Sequence, residues 1–216
     1  MKCSNLLTVV SRIMLVITCV TLAATARANL LVNGSFEQPG GYFGNLPVGA
    51  TYITGWVVTR GTIDYSPGWQ CPDGVASVDL DGSPGSTNNV GGVSQTFATV
   101  PSQQYQVTFA MAINPDSRTN NSELFTRTMG VQAAGQSTNV TLSELGTTDA
   151  NMNWVGESWT FTATNSSTTL EFFSMDAQNT YYGPTLDNVI VAPVPEPSTI
   201  FLTALGLITI YVIRRR

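Results

Sequence analysis

Between residues 29 and 193, apolar and polar positions alternate with a period of two far more often than they recur every three or four. Tyr105, Val107, Phe109 and Met111 alternate with Gln106, Thr108 and Ala110, the pattern of a half-buried strand. Trp159, Phe161 and Ala163 alternate with Thr160 and Thr162 in the same way, and residues 170–173 and 186–191 read as two more strands. Earlier strands are expected at 30–36, 56–59, 62–65, 75–80 and 93–97. Turn-formers separate them: Gly40-Gly41, Ser66-Pro67-Gly68, Gly82-Ser83-Pro84-Gly85, Asn114-Pro115-Asp116 and Asn165-Ser166. Short alternating strands with this punctuation predict an all-β, antiparallel sandwich.

The two ends break the pattern with uninterrupted apolar runs. Lys2 and Arg12 precede the run Ile13 to Ala24, and small residues follow at Ala26 and Ala28. A basic start, a short apolar stretch and small residues at −3 and −1 compose a secretory signal peptide over residues 1–28, cut by signal peptidase after Ala28, with sites after Ala24 and Ala26 as alternatives. At the other end, Pro195-Glu196-Pro197 is followed by the apolar run Ile200 to Ile213 and by Arg214, Arg215 and Arg216. Fourteen apolar residues are short for a permanent span, which needs about 20. The prolines block helix extension upstream, and the arginines favour a cytoplasmic end. The predicted element is a C-terminal hydrophobic helix that contacts the membrane, either as a transient recognition segment or as an ordinary anchor that is never cut. Residues 194–216 resemble the PEP-CTERM sorting signal of Gram-negative bacteria, which implies cleavage near the Pro-Glu-Pro by an exosortase. That resemblance places the body, residues 29–193, at the cell surface or in the extracellular matrix.

Charge narrows what the body can touch. It keeps three arginines (Arg60, Arg118, Arg127), no lysine and thirteen acids, for a net charge of −10. Such a surface repels phosphate backbones, so nucleic acid is set aside, while divalent cations are attracted. The chain contains no histidine, which removes Ser-His-Asp and Cys-His nucleophiles and imidazole-ligated zinc. Cys3 and Cys19 belong to the leader, leaving Cys71 as a lone cysteine, either buried or available for an intermolecular bridge.

Seven segments in order carry a second resemblance: NLLVNGSFE (29–37), GW (55–56), DGVASVDLDG (73–82), SQTFAT (94–99), YQVTFAMAINP (105–115), WTFTAT (159–164) and YGPTLDNVIV (182–191). They are similar to the bacterial choice-of-anchor C family and to galactose-binding-like jelly rolls, including carbohydrate-binding modules. The resemblance implies a jelly-roll sandwich, glycan binding and no catalytic residues. It also implies that an N-terminal N-x-x-F-E and a C-terminal D-[DN]-V meet around a structural calcium ion. The matching positions are Asn33, Phe36 and Glu37 with Leu186, Asp187, Asn188 and Val189, so Glu37, Asp187 and Asn33 are the expected metal residues. Calcium takes six to eight oxygens. The competing reading is that Glu37 and Asp187 cap turns and accept loop N–H groups.

Two further sets of residues carry chemistry. Asp79 and Asp81 share a strand face, as paired carboxylates in acid–base catalysis would, but the favoured reading is a solvent-facing strand end entering a turn. Loop aromatics are the other set: Tyr42 and Phe43 among glycines, Trp69 in SPGWQCPDG, and Tyr181-Tyr182 before Gly183. Aromatic faces stack on the C–H faces of sugars, so Trp69, Tyr42, Tyr181 and Tyr182 are the expected glycan-stacking residues. Trp56, Trp154 and Trp159 sit in patterned segments and are expected in the core. The function these features favour is a non-enzymatic, surface-sorted domain that associates with extracellular polysaccharide. A structural matrix or adhesion protein without glycan specificity is the alternative, and a glycan hydrolase a remote one.

Overall fold

The computed structural model describes residues 28–85, 88–115, 125–144, 147–178 and 181–195. Eleven strands run in the order β1 (Phe43–Pro47), β2 (Val57–Arg60), β3 (Thr62–Ser66), β4 (Ser77–Asp79), β5 (Gly92–Ala98), β6 (Gln104–Ile113), β7 (Phe125–Ala133), β8 (Gln136–Glu144), β9 (Val155–Thr162), β10 (Ser167–Ser174) and β11 (Pro184–Pro193). They form a six-stranded sheet, β1-β3-β4-β11-β6-β9, facing a five-stranded sheet, β2-β5-β10-β7-β8. The pairings are antiparallel throughout. The result is the antiparallel jelly-roll sandwich that the alternation predicts.

The inward faces follow the pattern. Tyr105, Val107, Phe109 and Met111 of β6 are buried opposite Leu170 and Phe172 of β10 and Met129 and Val131 of β7. Phe109 of β6 bridges the sheets, edge-on to Phe172 of β10 at 5.0 Å, while within the six-stranded sheet Tyr105 stacks on Phe161 at 5.5 Å. Each such side chain contributes about 1.5–3 kcal/mol by leaving water. Among the described residues, the strands and the core lie within residues 31–193.

Three strands stand where none is expected: β1 and the hairpin β7–β8. The hairpin closes on two residues, Ala134 (φ 51°) and Gly135 (φ 74°), the positive-φ pair of a type I′ turn. Its apolar signal is weak because its polar face is a run of Thr, Ser, Gln and Asn.

Residues 30–36, expected to be a strand, are a chain of bends. Asn33 (φ 54°) and Phe36 (φ 59°) take left-handed conformations that break a regular extended run. The segment is nonetheless tied along β11. Leu30 N–H donates to the Val191 carbonyl at 2.9 Å, Val189 N–H to Gly34 at 2.8 Å, and the Asn29 amide both donates to Val189 O and accepts from Val191 N–H.

The outer face of the six-stranded sheet is roofed at one end. Ser77, Asp79, Thr185 and Asp187 are fully buried although they face away from the core residues Val78 and Leu186. Gln70 joins the two loops of the roof: its N–H donates to Asp149 O (2.7 Å), its Oε1 accepts from Met152 N–H (3.2 Å), and its carbonyl accepts the Trp154 indole N–H (2.7 Å). Trp154 is therefore half-buried in the roof instead of the core, whereas Trp56 lies in the core and Trp159 packs against it.

Pro195 is the last described residue before the tail. Glu196, Pro197, the expected hydrophobic helix with Arg214 to Arg216, and Ala26 of the leader lie outside the described residues; Ala28 is exposed. Among the described residues no helix is long and apolar enough to cross a membrane.

Candidate functional site

Tyr42, Trp69, Tyr181 and Tyr182, drawn from three segments spread over 140 residues of chain, line a single cleft at the roofed end of the six-stranded sheet. Asp64, Ser66, Ser83, Pro84 and Asn114 complete its lining, and the cavity measures about 90 Å³.

Each aromatic is set by a different device. Tyr42 follows Gly40 and Gly41, both at positive φ. The Tyr65 hydroxyl accepts Gly40 N–H (3.2 Å) and the Tyr52 hydroxyl donates to Gly40 O (2.9 Å), so the glycine pair is pinned while Tyr42 stays 60% exposed. Trp69 is half-buried beside the Gln70 junction, and Gly68 N–H closes on the Ser66 hydroxyl at 3.2 Å. The Tyr181–Gly183 turn is held on three sides. Gly183 N–H donates to Asp79 Oδ1 (3.0 Å), Asn114 N–H to the Gly183 carbonyl (3.1 Å), and Arg127 Nε to the Tyr182 carbonyl. Arg127 is itself paired with Asp176 at 3.2 Å.

Carboxylates form the floor. Asp64 of β3 and Asp79 of β4 are direct cross-strand partners. Asp64 accepts the N–H groups of Asn45 (2.6 Å) and Ser83 (3.2 Å) and the Ser83 hydroxyl. Asp79 accepts N–H from Asp81 (2.9 Å) and Gly183, and the Asn114 amide. Burial, and then the neighbouring Asp81, raise the Asp79 pKa well above the usual carboxylate range. Both Asp79 and Asp81 are fully buried, which corrects the expectation of a solvent-facing strand end. The Asp79 carboxylate organises the turn, through the N–H groups of Asp81 and Gly183.

Of the expected metal residues, Glu37 and Asp187 both reach loop 73–76, while Asn33 does not. Glu37 Oε1 accepts Val75 N–H (2.9 Å) and Ala76 N–H (3.0 Å), and the loop can pass because Gly74 (φ +71°) leaves room: a Cβ there would stand 2.2 Å from the Glu37 carboxylate. Asp187 accepts Asn188 N–H at 2.6 Å and, weakly, Asp73 N–H at 3.5 Å. Burial and the charges of Asp73 and Glu37 push the Asp187 pKa up to about 8. Asn33 spends its amide on the backbone of Gln38 and Thr54. Among the described residues no three carboxylates or thiols stand together as a metal-holding group. Cys71 is half-buried, its thiol 3.3 Å from the Trp69 carbonyl, and burial and then Asp187 push its pKa up to about 11. That thiol is a poor nucleophile at neutral pH.

A wider hollow of about 260 Å³ lies on the outer face of the five-stranded sheet, lined by Gln132 to Gly135, Thr169 and Glu171. No aromatic lines it, and its acid is occupied: Glu171 is paired with Arg60 (2.8 Å) and accepts from Thr59 and Gln132. The aromatic cleft is the better-equipped site.

Alignment of the sequence reaches halomucin from Haloquadratum walsbyi, 29% identical over an aligned length of 178 residues that covers 78% of this chain and 2% of halomucin's length. Among solved structures, the CBM22-1 xylan-binding domain of Paenibacillus barcinonensis Xyn10C aligns at 16% identity over 81% of this chain and 99% of that one, with a TM-score of 0.46. A CBM61 module bound to β-1,4-galactotriose aligns at 16% identity over 77% and 99%, with a TM-score of 0.43. The enzymatically active domain of bacteriophage CBA120 tailspike protein 4 aligns at 13% identity over 77% and 21%, with a TM-score of 0.45. Residues 193–216 match the PEP-CTERM protein-sorting motif, as the tail predicts, which marks an exported chain sorted at the membrane. Residues 29–192 match the family described as protein of unknown function DUF642, and the chain belongs to that family.

Proposed function

We propose that the mature body is a non-catalytic glycan-binding module, delivered by its tail to the cell surface or extracellular matrix and there associated with polysaccharide. The observation that carries this reading is the convergence of Tyr42, Trp69, Tyr181 and Tyr182 on one cleft with a polar surround of Asp64, Ser66, Ser83 and Asn114. Rigid aromatic faces with a few convergent polar groups are the composition of a saccharide site. The carboxylates beneath it are committed to backbone and amide donors, which suits a scaffold better than proton transfer to a substrate. In this reading signal peptidase removes residues 1–28 and an exosortase removes the tail near Pro195.

The test is affinity electrophoresis of residues 29–193 in gels containing extracellular polysaccharides. Retention is expected, and Trp69→Ala is expected to remove it while leaving the melting temperature within about 2 °C, because Trp69 is a half-exposed loop residue. Unchanged retention by the variant would move the site elsewhere.

A calcium ion at the crossing of the two ends belongs to the same proposal. Glu37, through Oε2, and Asp187 are the side chains that would hold it, with Asn33 serving the turn instead. An ion there would offset the burial and the Asp73 and Glu37 charges that raise the Asp187 pKa. EDTA is then expected to lower the melting temperature by about 3 °C or more and calcium to restore it. A melting curve indifferent to both removes the ion.

A further inference from the structure

We propose that the aromatic cleft selects saccharides bearing an ammonium group, amino sugars with a free amine, over neutral and carboxylated ones. This rests on the cleft being the saccharide site. Size is the first argument. A cavity of about 90 Å³ holds roughly three water molecules' share of liquid volume, so it receives a substituent of a sugar while the ring lies against the rim. The second is the character of the walls. Four aromatic side chains surround that small space, and the negative faces of aromatic rings attract cations held against them.

The third argument is charge. Among the described lining residues, Asp64 is the charged one, and its donors are all neutral: two backbone N–H groups and a hydroxyl. Of the two described arginines of the body, Arg60 is paired with Glu171, and Arg127, which donates to the Tyr182 carbonyl at the cleft, is paired with Asp176; neither lines the cavity. Arg118 lies outside the described residues. A sugar carboxylate entering this space would be buried beside Asp64 with no partner, whereas an ammonium would meet a carboxylate and π faces together. Neutral hydroxyls gain the stacking and lose the charge term.

The test compares polymers that differ only in the amine. Residues 29–193 are run by affinity electrophoresis at 0.15 M salt against glycol chitosan, its N-acetylated form glycol chitin, and alginate. Retention by glycol chitosan is expected to be about tenfold tighter than by glycol chitin, with none by alginate. Because the body carries −10, any polycation attracts it, so two cleft variants separate the site from that background. Trp69→Ala, which leaves the net charge unchanged, and Asp64→Asn are each expected to lower glycol chitosan retention about tenfold. Free glucosamine should compete better than N-acetylglucosamine. Equal retention by the acetylated and free-amine polymers would overturn the amine preference and leave the saccharide reading standing. Chitosan retention that survives Trp69→Ala would overturn it as diffuse charge attraction. Retention by none of the polymers would overturn the preference, and failure on every other polysaccharide as well would overturn the saccharide reading.

Discussion

Gly183 shows how much of the cleft depends on a missing side chain. Its N–H reaches the buried Asp79 carboxylate at 3.0 Å, and a Cβ added there would lie 2.6 Å from Asp79 Oδ1 and 2.7 Å from the Asp81 Cβ. Neither acid can retreat, because both are fully buried beneath the turn. Gly183→Ala is therefore expected to cost about 1–3 kcal/mol and to lift Tyr181 and Tyr182 off the cleft. Gly156 on β9 has nothing within 4 Å of an added Cβ, so Gly156→Ala should be neutral or slightly stabilising. Thermal melts of the two variants check the contrast; equal losses would mean that Gly183 is not the anchor. Before the fold was in view, Tyr42, Trp69, Tyr181 and Tyr182 could each be picked out as loop aromatics. Their meeting could not, because it depends on which strand ends share one end of the sandwich. Asp64 was hidden for a different reason. It sits in TIDYS, a strand whose positions are all buried, where nothing local distinguishes a floor carboxylate from a stray acid.

At the scale of elements, legibility followed apolar contrast. β6, β9, β10 and β11 alternate large apolar with polar residues, and a strand runs at each. Residues 30–36 have the same contrast but are bent by positive φ at Asn33 and Phe36, a backbone choice that side-chain hydropathy does not encode. The β7–β8 hairpin fails in the opposite sense. Its partly exposed outer face is polar, and its turn is Ala-Gly where Asn-Gly would have announced it. That turn offers a stability test. Ala134 holds φ 51°, a conformation that a side chain other than Asn, Asp or Gly enters at a cost. Ala134→Asn is expected to stabilise the domain by about 0.5–1 kcal/mol, or about 1–4 °C in melting temperature. A lower melting temperature would mean that the Ala134 methyl packs too well to lose.

Over the whole molecule the unusual term is the number of buried acids set against few cations. Asp79 is raised by burial and by Asp81; Asp176 is raised to about 6, burial outweighing its pairing with Arg127. Both groups hold protons more tightly in the folded chain than in the unfolded one. The stability they contribute is therefore complete below about pH 4, the ordinary carboxylate range, and is lost as pH rises through their folded values. Glu171 runs the other way. Burial pushes its pKa up, but Arg60, Thr59 and Gln132 more than offset this and hold it below the ordinary value, so its contribution is lost only in acid. General repulsion in a body of −10 also grows as carboxylates ionise. Together these terms make the domain more stable at mildly acidic pH than at pH 8. In EDTA-containing buffer, which removes divalent cations from the account, the melting temperature of residues 29–193 is expected to rise by roughly 3 °C or more from pH 8 to pH 5 and to fall again below about pH 4. Asp79→Asn keeps an oxygen for the Asp81 and Gly183 N–H groups and removes the titration, so its profile between pH 5 and 8 should be flatter. A wild-type melting temperature that is flat or falling from pH 8 to pH 5 would show that the buried acids are neutralised by something other than protons.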